Sequence, residues 1–171
     1  GSTSRLFIHE SLHDRFVERL VNVLAERHQP GLATNMETTM GAMINRTQFD
    51  RALSFIASAR DEGATLVAGG GRPNAPTLAN GFFIEPTVFT DVTATMRLAR
   101  EEVFGPVLGV FRWDDEEELF AAVNGTEFGL TASIWTRDLD AAARLGARVE
   151  TGTVFANRCD YLDPALCWTG C

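Results

Sequence analysis

Residues 101–107 (EEVFGPV) place two adjacent carboxylates, an aromatic ring and a Gly-Pro turn directly ahead of the apolar run 107–111. The apolar run predicts a buried strand and the turn predicts the loop that feeds it. Loops at strand ends are where sites are commonly built. A carboxylate held there can accept hydrogen bonds from both hydroxyls of a ribose, and the ring of Phe104 can pack on a flat heterocycle, so the stretch suits nucleotide chemistry. The plainer reading makes Glu101 and Glu102 solvated charges and Phe104 a core residue. A second constellation, His9-Glu10-Ser11-Leu12-His13, spells H-E-x-x-H, in which two histidines on one helix face bind zinc and the glutamate activates the metal-bound water. Ser11 is the better helix cap, which leaves His9 and Glu10 outside the helix and spoils the i, i+4 geometry. The zinc metalloprotease is therefore the lesser alternative. Cys159, Cys167 and Cys171 contain no C-x-x-C pair and lie in a chain without secretory features, so they are expected to be reduced thiols, and no metal site is expected.

These residues need elements to position them. Residues 5–9 read as a short strand, followed by a helix opening at Ser11 with Leu12, Phe16, Leu20, Val23 and Leu24 at helical spacing. A second helix is predicted from about Thr47 to Gly63, presenting Phe49, Leu53, Ile56 and Ala57. Strands are expected at residues 65–68 and 82–88, with Pro86 marking an edge or a strand end. The triple glycine 69–71 matches neither phosphate-binding glycine pattern. Beyond the central turn come a strand at 107–111, a helix capped by Asp114, a strand at 131–136, a helix at 138–149 and a strand at 153–156. Alternation of this kind predicts an α/β fold: a parallel-rich twisted sheet flanked by helices.

The 171 residues, 45% of them hydrophobic, suffice for one globular domain with a core. A net charge of −8 and a pI near 4.8 argue against nucleic acid or an anionic membrane surface as a partner. No apolar run approaches the ~20 residues that span a bilayer, and no signal segment opens the chain, so a cytoplasmic location is expected.

Four stretches in order resemble signatures of the aldehyde dehydrogenase superfamily. Residues 81–88 (GFFIEPTV) are similar to G-[YF]-F-x-x-P-T-[VI], and residues 101–107 to E-E-[IV]-F-G-P-V. Residues 124–138 (NGTEFGLTASIWTRD) are similar to N-x-x-x-[FY]-G-L-x-A-x-[IV]-[FW]-[TS]-x-D, and residues 151–157 (TGTVFAN) to x-G-x-V-x-[VI]-N. The resemblance covers most of residues 45–171. It implies an NAD(P)-dependent enzyme that oxidises a small-molecule aldehyde substrate to a carboxylic acid: a cysteine thiolate attacks the aldehyde, a hydride leaves the thiohemiacetal for a nicotinamide, and the thioester is hydrolysed. It also implies that Glu102 holds the nicotinamide ribose of NAD or NADP, that Phe104 packs beside the nicotinamide, and that Asp160, Tyr161, Leu162 and Trp168 line the substrate pocket. Asn157 would serve a structural role.

The family's nucleophile lies in a G-Q-x-C segment, and no such segment occurs among residues 1–171. By resemblance it falls at or just before Gly1. Residues 1–171 then read as a partial aldehyde dehydrogenase catalytic domain, lacking the N-terminal cofactor domain, the catalytic cysteine segment and the C-terminal oligomerisation strand. The isolated chain would be inactive, and the parent enzyme a homo-oligomer, dimer or tetramer. The rival to this reading is a non-catalytic α/β module that keeps the fold for binding or assembly.

Overall fold

The structure, a computed structural model, describes residues 4–159, 163–165 and 168–171. The chain divides into two compact units, one running to Asp114 and the other spanning Asp115–Cys171.

The first unit is built on a four-stranded sheet. Strand β1 (Arg5–His9) leads into helix α1 (Glu10–Arg27), and helix α2 (Arg46–Asp61) is followed by β2 (Thr65–Ala68). After a 3₁₀ turn at Pro76–Leu78 come β3 (Thr87–Thr90), the short helix α3 (Arg97–Arg100) and β4 (Val107–Trp113). The strand order is β1-β4-β3-β2. β4 pairs in parallel with β1 and β3, and β2 joins β3 antiparallel. Alternation of side chains separates two apolar layers. Ile8, Val88 and Val110 face one side, where Val17, Leu20 and Leu24 of α1 cover them. Phe89, Val107 and Phe111 face the other, packed with Phe49, Phe55 and Ile56 of α2 and Leu98 of α3. All of β3 is buried, as a strand covered on both faces requires. The strand expected at residues 82–88 is displaced: β3 begins at Thr87, immediately after Pro86, whose missing N–H cannot join a ladder, and runs on to Thr90.

Three local details depart from the sequence reading. His9, not Ser11, is the N-cap of α1, its ring nitrogen accepting from the Ser11 N–H, so Glu10 is the first helical residue. The buried stripe of α1 runs through His13, Val17, Leu20 and Leu24, and leaves Leu12 and Phe16 about half exposed, at 48% and 44%. On α2, capped by the Asn45 side chain, the buried residues are Phe49, Ala52, Phe55, Ile56 and Ala59, while Ala57 faces solvent. Spacings of three and four residues place these on one helix face. Gly63, at φ +94°, ends the helix as predicted.

The second unit is a β-α-β arrangement preceded by a helix. Helix α4 (Glu116–Val123) is capped by Asp115, which accepts from the N–H groups of Glu117 and Glu118. The cap is one residue later than predicted: Asp115 has the extended backbone an N-cap requires, and its carboxylate is the one that meets the first N–H groups. β5 (Thr131–Ile134), helix α5 (Leu139–Gly146, capped by Asp138) and β6 (Thr153–Ala156) follow, with β5 and β6 parallel. The predicted second half is thus split: β4 belongs to the four-stranded sheet, and β5 and β6 pair with each other. Arg144 of α5 grips Glu116 of α4 with two hydrogen bonds of 2.8 and 3.1 Å, and Arg148 bonds Glu117 at 2.7 Å while lying over the Phe120 ring. The Glu116 carboxyl is held below its usual range, chiefly by the hydrogen bond from Arg144.

Candidate functional site

The turn 101–107 is fastened at both ends by backbone hydrogen bonds. The Glu101 N–H donates to Arg97 O at 3.0 Å, closing α3, and the Val107 N–H donates to Gly105 O at 2.8 Å as β4 begins. Pro106 O accepts from the Thr87 N–H at 2.9 Å, tying the turn to β3. Between these ties Val103 is wholly buried in the layer beneath α2 and acts as a plug. Gly105 sits so close to α2 that a Cβ there would lie 3.3 Å from Ala52 Cβ and Met43 Cε, which favours a residue without one.

With Val103 pointing in, its neighbours point out. Glu102 and Phe104 are both exposed, Phe104 at 65%. Phe104 holds φ +56°, a left-handed conformation that is a genuine outlier for a bulky side chain. Strain of this kind costs ~1–3 kcal/mol and persists only where the surroundings impose it. The plainer sequence reading, with Phe104 in the core, does not hold: the ring is at the surface. Among the described residues no donor meets the Glu102 carboxylate, whereas its carbonyl accepts from Arg51 at 2.9 Å. Glu101 is bound differently, with Arg97 Nε donating to it at 3.2 Å and Arg51 standing 3.8 Å away. Sequence reasoning missed both arginines. Arg97 carried a signal, standing four residues before Glu101. Arg51 carried none.

Trp168, the pocket residue predicted from the terminal loop, belongs to the second unit and is half exposed, at 48%. Asp160, Tyr161 and Leu162 lie outside the described residues. The end of the chain is held at two glycines: Cys171 N–H donates to Gly129 O at 3.2 Å, and a Cβ on Gly152 would fall 1.5 Å from Thr169 O. The glycines of FGL and TGT thus allow residues 169–171 to lie against the start of β5. Asn157, at φ +54°, spans the other end of β5, its amide donating to Thr136 O and accepting from the Thr136 N–H at 2.8 and 2.9 Å. This is the structural role expected of it. Cys159 and Cys171 are free and exposed.

His9 lies outside α1 as its N-cap, and the two histidines engage different partners. His9 caps α1 and packs edge-on against Trp113 at 4.8 Å. His13 is buried, with Nδ1 2.9 Å from Asp14 Oδ1 and 3.0 Å from the Arg112 guanidinium. Asp14, which accepts from Arg112 at 2.6 Å, is held below the usual carboxylate range by His13 first and Arg112 second. Among the described residues no group of three His, Cys, Asp or Glu side chains is placed to hold a metal ion. A groove of about 790 Å³ runs along α1, lined by Leu12, Phe16 and Val23 among charged residues; it is the outer flank of the helix and does not touch residues 101–107.

A family model for the Aldehyde dehydrogenase family matches residues 1–171. The chain belongs to the aldehyde dehydrogenase family. The aldehyde dehydrogenase tropH of Talaromyces stipitatus is 51% identical over 160 residues, covering 92% of this chain and 31% of its own length. The betaine aldehyde dehydrogenase of Brucella anthropi is 45% identical over 154 residues, covering 90% of this chain and again 31% of its own length. Among solved structures, the betaine aldehyde dehydrogenase of Staphylococcus aureus in complex with NAD+ superposes with a TM-score of 0.92 at 32% identity, over 98% of this chain and 33% of that one. The NAD+ complex of an aldehyde dehydrogenase from Bacillus cereus gives 0.90 at 35% identity, over 98% and 33%. This aldehyde dehydrogenase chain therefore has the α/β fold of its relatives and spans about a third of their length. No helix among its described residues is long and apolar enough to cross a membrane.

Proposed function

We propose that this chain is the part of an NAD(P)-dependent aldehyde dehydrogenase catalytic domain that presents Glu102 and Phe104 to the nicotinamide end of the cofactor. The observation that carries the reading is the turn itself: an exposed carboxylate with no donor among the described residues, two positions from an exposed ring held at φ +56°. Both groups fit a ribosyl nicotinamide. A carboxylate accepts from two vicinal hydroxyls, and an open aromatic face packs on a flat ring. Bound NAD, or NADP, supplies the hydride acceptor of the reaction. The protein's own contribution is orientation: Val103 and the backbone ties at Glu101, Pro106 and Val107 keep the two side chains turned outward, so little freedom is lost on binding. That relatives of this chain are solved as NAD+ complexes favours NAD.

On this reading Asp160, Tyr161, Leu162 and Trp168 line the pocket for a small-molecule aldehyde substrate. The nucleophilic cysteine belongs to a part of the longer enzyme outside residues 1–171, since none of Cys159, Cys167 and Cys171 follows a Gly-Gln pair. The longer enzyme would be a cytoplasmic homo-oligomer, dimer or tetramer, consistent with large apolar side chains such as Trp135 and Leu139 standing 65% and 64% exposed. The test is an absorbance assay for NADH and NADPH with a panel of aldehydes, run on the longer enzyme and on residues 1–171 alone. Aldehyde-dependent reduction by the former and none by the latter is expected. Turnover by residues 1–171, or none by the longer enzyme with any aldehyde, would overturn the proposal.

A further inference from the structure

Arg51 and Arg97 come from different helices, yet their guanidinium groups share one platform. Both lie over the ring of Phe55, Arg97 at 3.9 Å and Arg51 at 5.0 Å from its centroid. That ring is fully buried, so it is a fixed support for two otherwise mobile side chains. Arg97 is fixed further by a 3.2 Å hydrogen bond from its guanidinium to Ser54 Oγ and by its backbone N–H, which donates to Glu62 Oε2 at 2.7 Å. Ser54 in turn donates to Arg51 O at 2.7 Å.

From this platform the two arginines reach the same short segment. Arg97 holds the Glu101 carboxylate at 3.2 Å, and Arg51 holds the Glu102 carbonyl at 2.9 Å while standing 3.8 Å from Glu101. Both positive charges are thereby committed to Glu101, the neighbour of the residue read as the cofactor carboxylate. Ion pairs as exposed as these contribute little to stability, so their stability alone gives them no evident purpose. Their geometric effect is larger. Phe104 sits at φ +56°, and such a residue relaxes unless the chain on either side of it is held. The Val103 plug and the Gly105 and Pro106 contacts hold the segment from within, and the arginines hold it from outside.

We propose that Arg51 and Arg97 are positioning residues for the cofactor-binding turn: anchored on Phe55, they take up Glu101 and the Glu102 carbonyl so that the Glu102 carboxylate and the Phe104 ring remain directed outward. The inference rests on the reading of the turn given above, and two measurements keep the two claims separable. In the longer enzyme, Arg51→Ala and Arg97→Ala should each weaken NAD+ about tenfold while leaving the aldehyde KM and the thermal midpoint nearly unchanged. Arg51→Lys should recover part of the loss, because an ammonium can still donate to the Glu102 carbonyl but lacks the planar fork. In residues 1–171 alone, hydrogen exchange reads the turn without any cofactor. The amides of Glu101, Val107 and Thr87, whose hydrogen bonds close it, should exchange about tenfold faster in Arg51→Ala, with the amides of Leu6–His9 and Val110–Trp113 as unchanged controls. A wild-type longer enzyme that binds no NAD+ or NADP+ would overturn the cofactor reading and leave exchange to judge the positioning. Unchanged exchange at the three amides would overturn the positioning role, as would equal losses for NAD+ and aldehyde accompanied by a fall in thermal midpoint.

Discussion

Replacing Phe104 by glycine and by alanine separates the backbone of the turn from its ring. At an ordinary position alanine is more stable than glycine by about 0.5–1 kcal/mol, because glycine loses more freedom on folding. Phe104 is not ordinary: at φ +56° a residue with a Cβ carries a left-handed penalty of about 1–2 kcal/mol that glycine escapes. The balance reverses the usual order, making Phe104→Gly the more stable of the two by up to about 1.5 kcal/mol, and by ~0.75 kcal/mol at the centre of both ranges. Both variants lose the ring, which is 65% exposed, so the third that is buried, about 70 Å², contributes to neither and cancels in the comparison. Urea unfolding provides the assay, with Trp113 fluorescence as reporter of the first unit in a Trp135→Phe/Trp168→Phe background. At a slope typical of small domains, Phe104→Gly should have a midpoint higher than Phe104→Ala by roughly 0.5 M. A midpoint for the alanine variant equal to or above that of glycine would refute the claim that the fold imposes strain at this residue.

Glu102→Gln in the longer enzyme should slow single-turnover hydride transfer by about tenfold, since a neutral amide cannot supply the charge-assisted acceptor; an unchanged rate would exclude Glu102 from orienting the cofactor. Trp168→Ala should reorder aldehydes by kcat/KM and leave cofactor affinity alone, whereas equal losses for every aldehyde would make the residue mere packing. Phe55→Ala should cost about 3–5 kcal/mol by urea unfolding, because the ring is fully buried and also supports two guanidinium groups. Glu116 titrates below its usual value in the folded chain, so its contribution is complete above the ordinary glutamate range, near pH ~4.3, and is lost as pH falls through the lower folded value. Glu116→Gln should therefore flatten the acid limb of the second unit's stability between those two points, as followed by exchange at the α4 and α5 amides.

Local rules carried much of the reading because their causes are local. Strands β1, β2 and β6 begin and end where alternation and flanking turns place them, and the Glu-Glu-Val-Phe-Gly-Pro-Val turn with its two outward residues was legible as a motif. Caps were legible only to within a residue or two, since Asp114 and Asp115 are chemically alike and only the folded chain shows which carboxylate meets the helix N–H groups. The short helix α3 went unseen, as four residues are too few to show a period.

The sequence by itself determined most element types and the family signatures, and it singled out the pair Glu102 and Phe104. Only the tertiary structure decided which of the overlapping faces of α1 is buried. His13 reads as polar in any pattern, yet it is buried, with Asp14 and Arg112, the latter from β4, at its Nδ1 and no partner for its Nε2 among the described residues. The strand order β1-β4-β3-β2 was likewise beyond the sequence, because register is set by packing against both helical layers. So was the hold of Arg51 on Glu102 across 51 residues of chain, for a contact between segments that far apart leaves no periodic or local trace and exists only once the sheet has brought α2 beside the turn.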